Sequence, residues 1–406
     1  MLKASIIFLV EVISIMAPPF SQAEYGDRLQ RVRNAMDKSG FDILVIGDPA
    51  NINWLTGYDA WSFYTPQIMV LGLALEPTWL GREMDAGAAA FTTYLKPEQV
   101  VPFPEDLVQQ KDVHPAQFMA QWMISKGLDN KRIGYESDVY YLTPMAIDHL
   151  KSRLSNSTWV DCELLVNWQR LIKSPAEIEK LQQAAVIAGK AMQTAYDGVK
   201  PGVRQCDLMA DIVAAQIRGT PEFGGELTAL HPLVLAGESA STAHPMWTDA
   251  VFEHDQTIAF ELGGCRHRYN AGLARTVHIG EPPKTLISTA KAVGEGMDAV
   301  LSAMRAGVAC SQVHSAWQAV LDDYGLEKKS RIGYSIGVGY APDWGEHTIS
   351  FRPGDETLLP ENAVVHIILG MWMDGWGMEL SETIHVRNKD AICLTQFSRD
   401  VHIIDV

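Results

Sequence analysis

The run TIAFELGGCRHRYNAGLART, residues 257–276, is the stretch that most constrains this chain. It holds two apolar segments, Thr257–Leu262 and Gly272–Val277, separated by a polar stretch containing Gly263, Gly264 and Asn270. Branched and aromatic residues bounded by glycine and asparagine predict two strands joined by a turn. One carboxylate, Glu261, stands inside the first apolar segment. Burying an ionised acid is costly unless something pairs with it. Glu261 is therefore either a strand-end residue leaning into solvent or part of a chemical site.

Helical patterns set this hairpin in a larger frame. In VNWQRLIKSPAEIEKLQQAA, residues 166–185, Ser174, Pro175 and Glu177 make a helix start: a cap, a first-turn proline and an acid three residues after the cap. The helix is predicted to run to about Tyr196, with a second over 206–218 and a further pair near 285–305 and 311–324. Upstream, Leu29, Val32 and Met36 recur at helical spacing and Gly40 supplies a stop. FDILVIG at 41–47, QIMVLGLAL at 67–75 and RIGYES at 132–137 read as strands, and 115–126 and 143–154 as helices. This alternation predicts a small α/β domain ending near residue 165. The connection 53–67, NWLTGYDAWSFYTPQ, is unusually aromatic for a loop. It is either a plug under the sheet or a surface for a substrate or a partner subunit.

Composition narrows the function. With 406 residues, 47% of them hydrophobic, the chain supports two domains with large cores. A formal charge of −16 repels nucleic-acid backbones and anionic membranes and favours cationic or zwitterionic small substrates. Five scattered cysteines at no metal-like spacing fit free thiols in a reducing compartment. Cys265 is close enough to Glu261 in sequence to be weighed as a thiol nucleophile, with a small turn filler as the alternative.

Three further stretches are SASTAHPMWTD at 239–249, GYSIGVGYAPDWGEH at 333–347 and GMWMDGWGMELSET at 370–383. With the hairpin they resemble, in order and spacing, the second half of the pita-bread family of methionine and Xaa-Pro aminopeptidases, prolidases and creatinase. The resemblance places that family's metal ligands, Asp, Asp, His, Glu and Glu, at Glu261, Gly272, Tyr334, Ile368 and Ser381. Glycine and isoleucine cannot ligate a metal, and tyrosine and serine are poor substitutes. Creatinase shows the same kind of departure. NINWLTGYDAWSFYTPQ at 51–67, YAPDWGE and GMWMDGWGMEL look like ectoine hydrolases, creatinase-like enzymes that open a cyclic amidine. The resemblance runs from about Pro18 to the C-terminus.

It implies an α+β chain: a creatinase-type α/β domain over 24–165 and a pita-bread catalytic domain over 166–406, after an N-terminal segment 1–23. Lys3 followed by ASIIFLVEVISIMA looks like a short signal peptide, but Glu11 interrupts it. MAPPFSQAEY resembles the usual start of ectoine hydrolases, so residues 1–15 are expected to be an upstream extension and the protein cytoplasmic. The expected reaction is metal-free hydrolysis of ectoine, with hydroxyectoine as a second candidate and no cofactor. The alternatives are a creatinase-like amidinohydrolase, an Xaa-Pro peptidase and a non-enzymatic binding module.

The same resemblance assigns roles. Glu261 is expected as nucleophile or general base and His244 as acid/base. Glu379 is expected either to recognise an amidinium or to pair with an arginine such as Arg275. Trp344, read as a loop residue, is expected to wall the ligand alongside Tyr334. Asp343 and Glu346 are expected to take ring N–H groups, and Arg275 and Arg268 are candidates for a substrate carboxylate, with a structural strand residue as the equal alternative for Arg275. Creatinase-type dimers imply that Trp61, Phe63 and Tyr64 rim the neighbouring subunit's pocket in a homodimer.

Overall fold

The computed structural model describes residues 18–405. Most of the expected N-terminal extension lies outside the described residues; Ser21 already caps the first helix, Gln22–Ser39. The chain divides into two compact units between Gln169 and Arg170, four residues beyond the expected boundary.

In the first unit, the opening helix ends at Gly40, whose φ of 72° closes it in the left-handed region. Strands β1 (Ile43–Ile46), β2 (Ile68–Gly72), β3 (Thr78–Arg82), β4 (Val100–Phe103), β5 (Arg132–Tyr135) and β6 (Thr158–Asp161) form one mixed sheet in the order β4-β3-β2-β1-β5-β6. Ile43, Val45, Val70, Leu80 and Ile133 pack on Met119, Met123, Ile147 and Leu150 of the helices Pro115–Ser125 and Pro144–Arg153. The aromatic connection is only partly a loop. Asp48 caps a helix over Pro49–Thr56, a cap-plus-proline start that the sequence reading passed over. Trp54 and Tyr58 are core residues of this unit, whereas Trp61 and Tyr64 are 59% and 60% exposed. Phe63 is half-buried against Trp61 and Tyr141.

The second unit carries a nine-stranded sheet. Its strands are β7 (Leu233–Ala236), β8 (Gln256–Arg266), β9 (Tyr269–Ile279), β10 (Gly333–Tyr340), β11 (Asp343–Ser350), β12 (Val364–Ile368), β15 (Ser381–Val386), β16 (Ala391–Cys393) and β17 (His402–Ile404). The path is β16-β15-β12-β10-β9-β8-β7, with β11 beside β10 and β17 beside β9. Strands β13 (Met371–Met373) and β14 (Trp376–Met378) form a separate pair.

Alternation along these strands separates two faces. Ile258, Phe260 and Leu262 of β8 pack on Ala188, Ala191, Met192 and Ala195 of the helix Pro175–Gly198. That helix starts at the predicted capping box, with Ser174 and Glu177 bonded reciprocally at 3.2 and 2.8 Å. Val365, Ile367, Ile384 and Val386 pack on the helices Lys284–Ala303 and Cys310–Tyr324. The opposite face carries Ala259, Glu261 and Gly263 of β8, Tyr334 of β10 and His366 of β12.

The hairpin is longer and tighter than predicted. Its turn is His267–Arg268, both at positive φ, and Gly263 and Gly264 lie inside β8. Those glycines answer close packing rather than chain reversal. A Cβ on Gly264 would run into Ala184 O and Ala188 N, because the helix lies directly on the strand backbone.

Candidate active site

Glu261 sits in mid-strand, opposite Leu233 of β7 and Ala274 of β9, and is 4% exposed. Its side chain shares the face away from the helices with Ala259, which packs on Leu233, Leu235, Ala240 and Trp372. Glu379, just before β15, has its backbone clamped by Thr276. The Thr276 hydroxyl donates to Glu379 O at 3.0 Å and accepts from Glu379 N at 2.9 Å. Glu379 Oε2 is buried with no hydrogen-bond partner among the described residues.

Burial pushes Glu261 up to about 7. Burial and then the charge of Glu261 push Glu379 well above the usual carboxylate range, against the pull of Lys328. Two buried acids in each other's field are not both ionised. Glu379 is thereby biased toward its protonated form. Lys328 Nζ donates to Gly370 O at 2.8 Å beside the Trp372 ring, and burial lowers it to about 8.

Tyr334 joins the pair electrostatically: burial, then Glu261, raise its hydroxyl above the ordinary tyrosine range. Trp344 Nε1 donates to Tyr334 Oη at 2.9 Å. Trp344 is buried and lies on strand β11, not in a loop as expected, with its ring seated where a Cβ on Gly263 would stand.

The residue that sequence reasoning missed is His366. Its ring lies edge-on to Tyr334 and Trp344, with centroids 5.7 and 5.6 Å apart. Nε2 is 2.8 Å from Ser381 Oγ, which accepts from Ala274 N at 2.6 Å, and Nδ1 is 3.3 Å from Tyr334 Oη. A Cβ on Gly272 would stand 2.8 Å from Cε1 and Nε2 of the same ring. Burial lowers His366 to about 3, so the imidazole is neutral. The signal was present: a lone histidine in VVHII, on a strand whose other residues are apolar.

The structure engages several expected residues elsewhere and leaves others apart from the buried pair. Arg275 is fully buried, paired to Glu382 at 2.8 Å and donating to Ser381 O and Phe397 O, so neither a substrate carboxylate nor Glu379 is its partner. Glu346 forms a buried ion pair with Lys173 at 2.7 Å instead of holding a ligand. Asp343 bonds His347 and Gly345 N, both at 2.8 Å. Arg268 lies over the Tyr340 ring and 3.9 Å from Glu226, and Cys265 is buried with Sγ 3.8 Å from Glu226. His244 is exposed in the loop after Gly237–Ser241 and makes no hydrogen bond among the described residues. Trp61, Phe63 and Tyr64 belong to the other unit.

Comparison with known proteins decides the family. Residues 28–172 match the creatinase/prolidase N-terminal domain and residues 179–388 match metallopeptidase family M24. The chain belongs to metallopeptidase family M24. It is 37% identical to the ectoine hydrolase of Halomonas elongata over 95% of this chain and 98% of that protein. It is 40% identical to an uncharacterized hydrolase/peptidase, y4tM, of Sinorhizobium fredii, over 95% and 99%. A prolidase from Thermococcus sibiricus superposes with a TM-score of 0.81 at 18% identity, covering 94% of this chain and 99% of that one, which shows the pita-bread fold.

The M24 metal centre does not fit this donor set. Of the five positions that the family resemblance assigns to metal ligands, Gly272, Tyr334 and Ser381 surround one imidazole, Ile368 has no donor atom, and Glu261 alone keeps a carboxylate. Among the described residues, no group of three or more His, Cys, Asp or Glu is arranged to hold a metal ion.

Proposed function

We propose that this M24 hydrolase acts on a C–N bond other than a peptide bond, opening the cyclic amidine of ectoine without a metal. The observation that carries the reading is the buried pair Glu261 and Glu379, set beside an imidazole where M24 peptidases keep metal ligands. A peptide bond needs polarising, and in M24 peptidases a Lewis acid supplies it. An amidinium already carries positive charge, and the ionised Glu261 attracts it. Likeness to the Halomonas elongata ectoine hydrolase supports the same substrate.

Glu261, once ionised, either takes a proton from the water that attacks the amidine carbon, or attacks that carbon itself and is released when water cleaves the resulting carboxylate–carbon bond. Water adds across the C=N bond, and the adduct collapses with cleavage of one ring C–N bond. The leaving nitrogen takes up the proton and departs as an amine, so the product is an N-acetylated diaminobutyrate. Glu379, protonated, donates a hydrogen bond within the site. His244 is proposed as the proton donor, because its loop follows the turn Gly237–Ser241, whose Ala240 shares a buried cluster with Ala259 of the Glu261 strand.

Purified protein is expected to convert ectoine and to leave creatine and an Xaa-Pro dipeptide intact, read by proton NMR. Turnover of creatine instead would favour the amidinohydrolase reading, and turnover of the dipeptide alone would end the amidine reading.

Two attributes accompany this proposal. Trp61 and Tyr64, exposed on one connection, support a homodimer in which that connection meets the neighbouring subunit. Light scattering is expected to give twice the 44.8 kDa chain mass; a fully active monomer would contradict it. All five cysteines are free thiols, which supports a cytoplasmic location. No described helix is long and apolar enough to cross a membrane.

A further inference from the structure

The proposed substrate carries a carboxylate as well as an amidinium, and the ionised Glu261 repels a carboxylate. A cation has to receive it. Arg275 is consumed in the core, and Arg268 is engaged with Glu226 and Tyr340. Lys328 donates to Gly370 O and acts on Glu379, which makes it the counter-charge of the carboxylate pair.

Arg331 differs from all three. It lies two residues before β10, and its guanidinium carbon sits 4.5 Å from the centre of the Tyr334 ring. The side chain is exposed and makes no hydrogen bond or ion pair among the described residues. Its field reaches Asp343, whose oxygens are already taken by His347 and Gly345 N. Stacking on a ring fixes the plane of a guanidinium and leaves its N–H edges outward, the geometry for a bidentate carboxylate. The ring beneath it is the one whose hydroxyl lies in the field of Glu261.

We propose that Arg331 is the residue that binds the substrate carboxylate and so sets the preference for a zwitterionic amidine over a simple cationic one. The inference rests on the ectoine reading. Tyr334 then serves both ends of the substrate: its face supports the carboxylate receptor, and its hydroxyl lies on the side of the reacting carboxylate. Lysine at this position keeps the charge and loses the flat fork, so it restores binding only in part.

The test compares ectoine with 2-methyl-1,4,5,6-tetrahydropyrimidine, the same ring without the carboxylate, on wild-type protein and on Arg331→Gln and Arg331→Lys. For Arg331→Gln, KM for ectoine is expected to rise about 30- to 100-fold with kcat changed less than about threefold, the loss of one charge-assisted contact. The Michaelis or inhibition constant of the carboxylate-free ring is expected to stay within about twofold of wild type, and Arg331→Lys to fall between. Unchanged ectoine kinetics in Arg331→Gln, or an equal loss on both rings, would overturn the assignment while leaving the ectoine reading intact. Wild-type protein that neither binds nor turns over ectoine would remove that reading, and this inference with it.

Discussion

Glu261→Gln is expected to lower kcat for ectoine by about 10³- to 10⁴-fold while making the folded protein more stable at alkaline pH. The two effects share one cause. Burial holds the Glu261 carboxyl up to about 7, above its value in an unfolded chain. Between those two values the native state binds more protons than the unfolded state, so stability falls as pH rises. Glutamine removes the ionisation. At pH 8 the melting temperature of Glu261→Gln should therefore exceed that of wild type by about 3 °C or more. For the active wild type the sign is opposite: kcat/KM should climb as pH rises through about 7, because only the ionised carboxylate works. A glutamine variant with near wild-type kcat would move the chemistry to Glu379. One that is inactive but less stable would make Glu261 a structural acid.

Gly272→Ala is also expected to be damaging, although it adds a single methyl group on a buried strand. Its Cβ would stand 2.8 Å from two atoms of the His366 ring. That ring has nowhere to go: Ser381 and Tyr334 hold its nitrogens, and Trp344 meets it edge-on. Overpacking of this kind costs about 1–3 kcal/mol. It should also tilt the imidazole away from Tyr334, with an expected loss in kcat of about 100-fold, as for a displaced positioning group. The double variant Gly272→Ala with His366→Ala frees the space. Its stability loss should fall short of the sum of the two single losses by about 1 kcal/mol or more. Strict additivity would show that the two positions do not meet.

These particular residues show what a sequence carries and what it hides. The Ser174–Pro175–Glu177 start and the spacing of the apolar residues in the long helices are local signals, and the helices formed where those signals stand. Glu261 was legible because a carboxylate in an apolar strand is conspicuous. Gly263 and Gly264 were misread as turn residues, because the sequence does not reveal that a helix backbone and a tryptophan ring lie against them. The choice between a structural and a ligand-binding Arg275 stayed open for a related reason: its partners Glu382 and Phe397 come from more than a hundred residues downstream. His366 escaped because its meaning depends on Gly272, Tyr334 and Ser381 together, three positions brought to one point by β9, β10 and β15. Arg331 escaped because stacking on Tyr334 is a matter of side-chain placement beyond any pattern of residue types.

In the proposed mechanism two buried acids act without a metal, and of the two only Glu261 stands at a position the family resemblance assigns to a metal ligand. The measurement that tests this most directly is ectoine hydrolysis by protein dialysed against a strong chelator, followed by proton NMR, with metal content determined on the same sample. Conversion at the undialysed rate is expected, with no stoichiometric transition metal bound. Loss of activity on dialysis and its return with added Mn²⁺ or Fe²⁺ would contradict it.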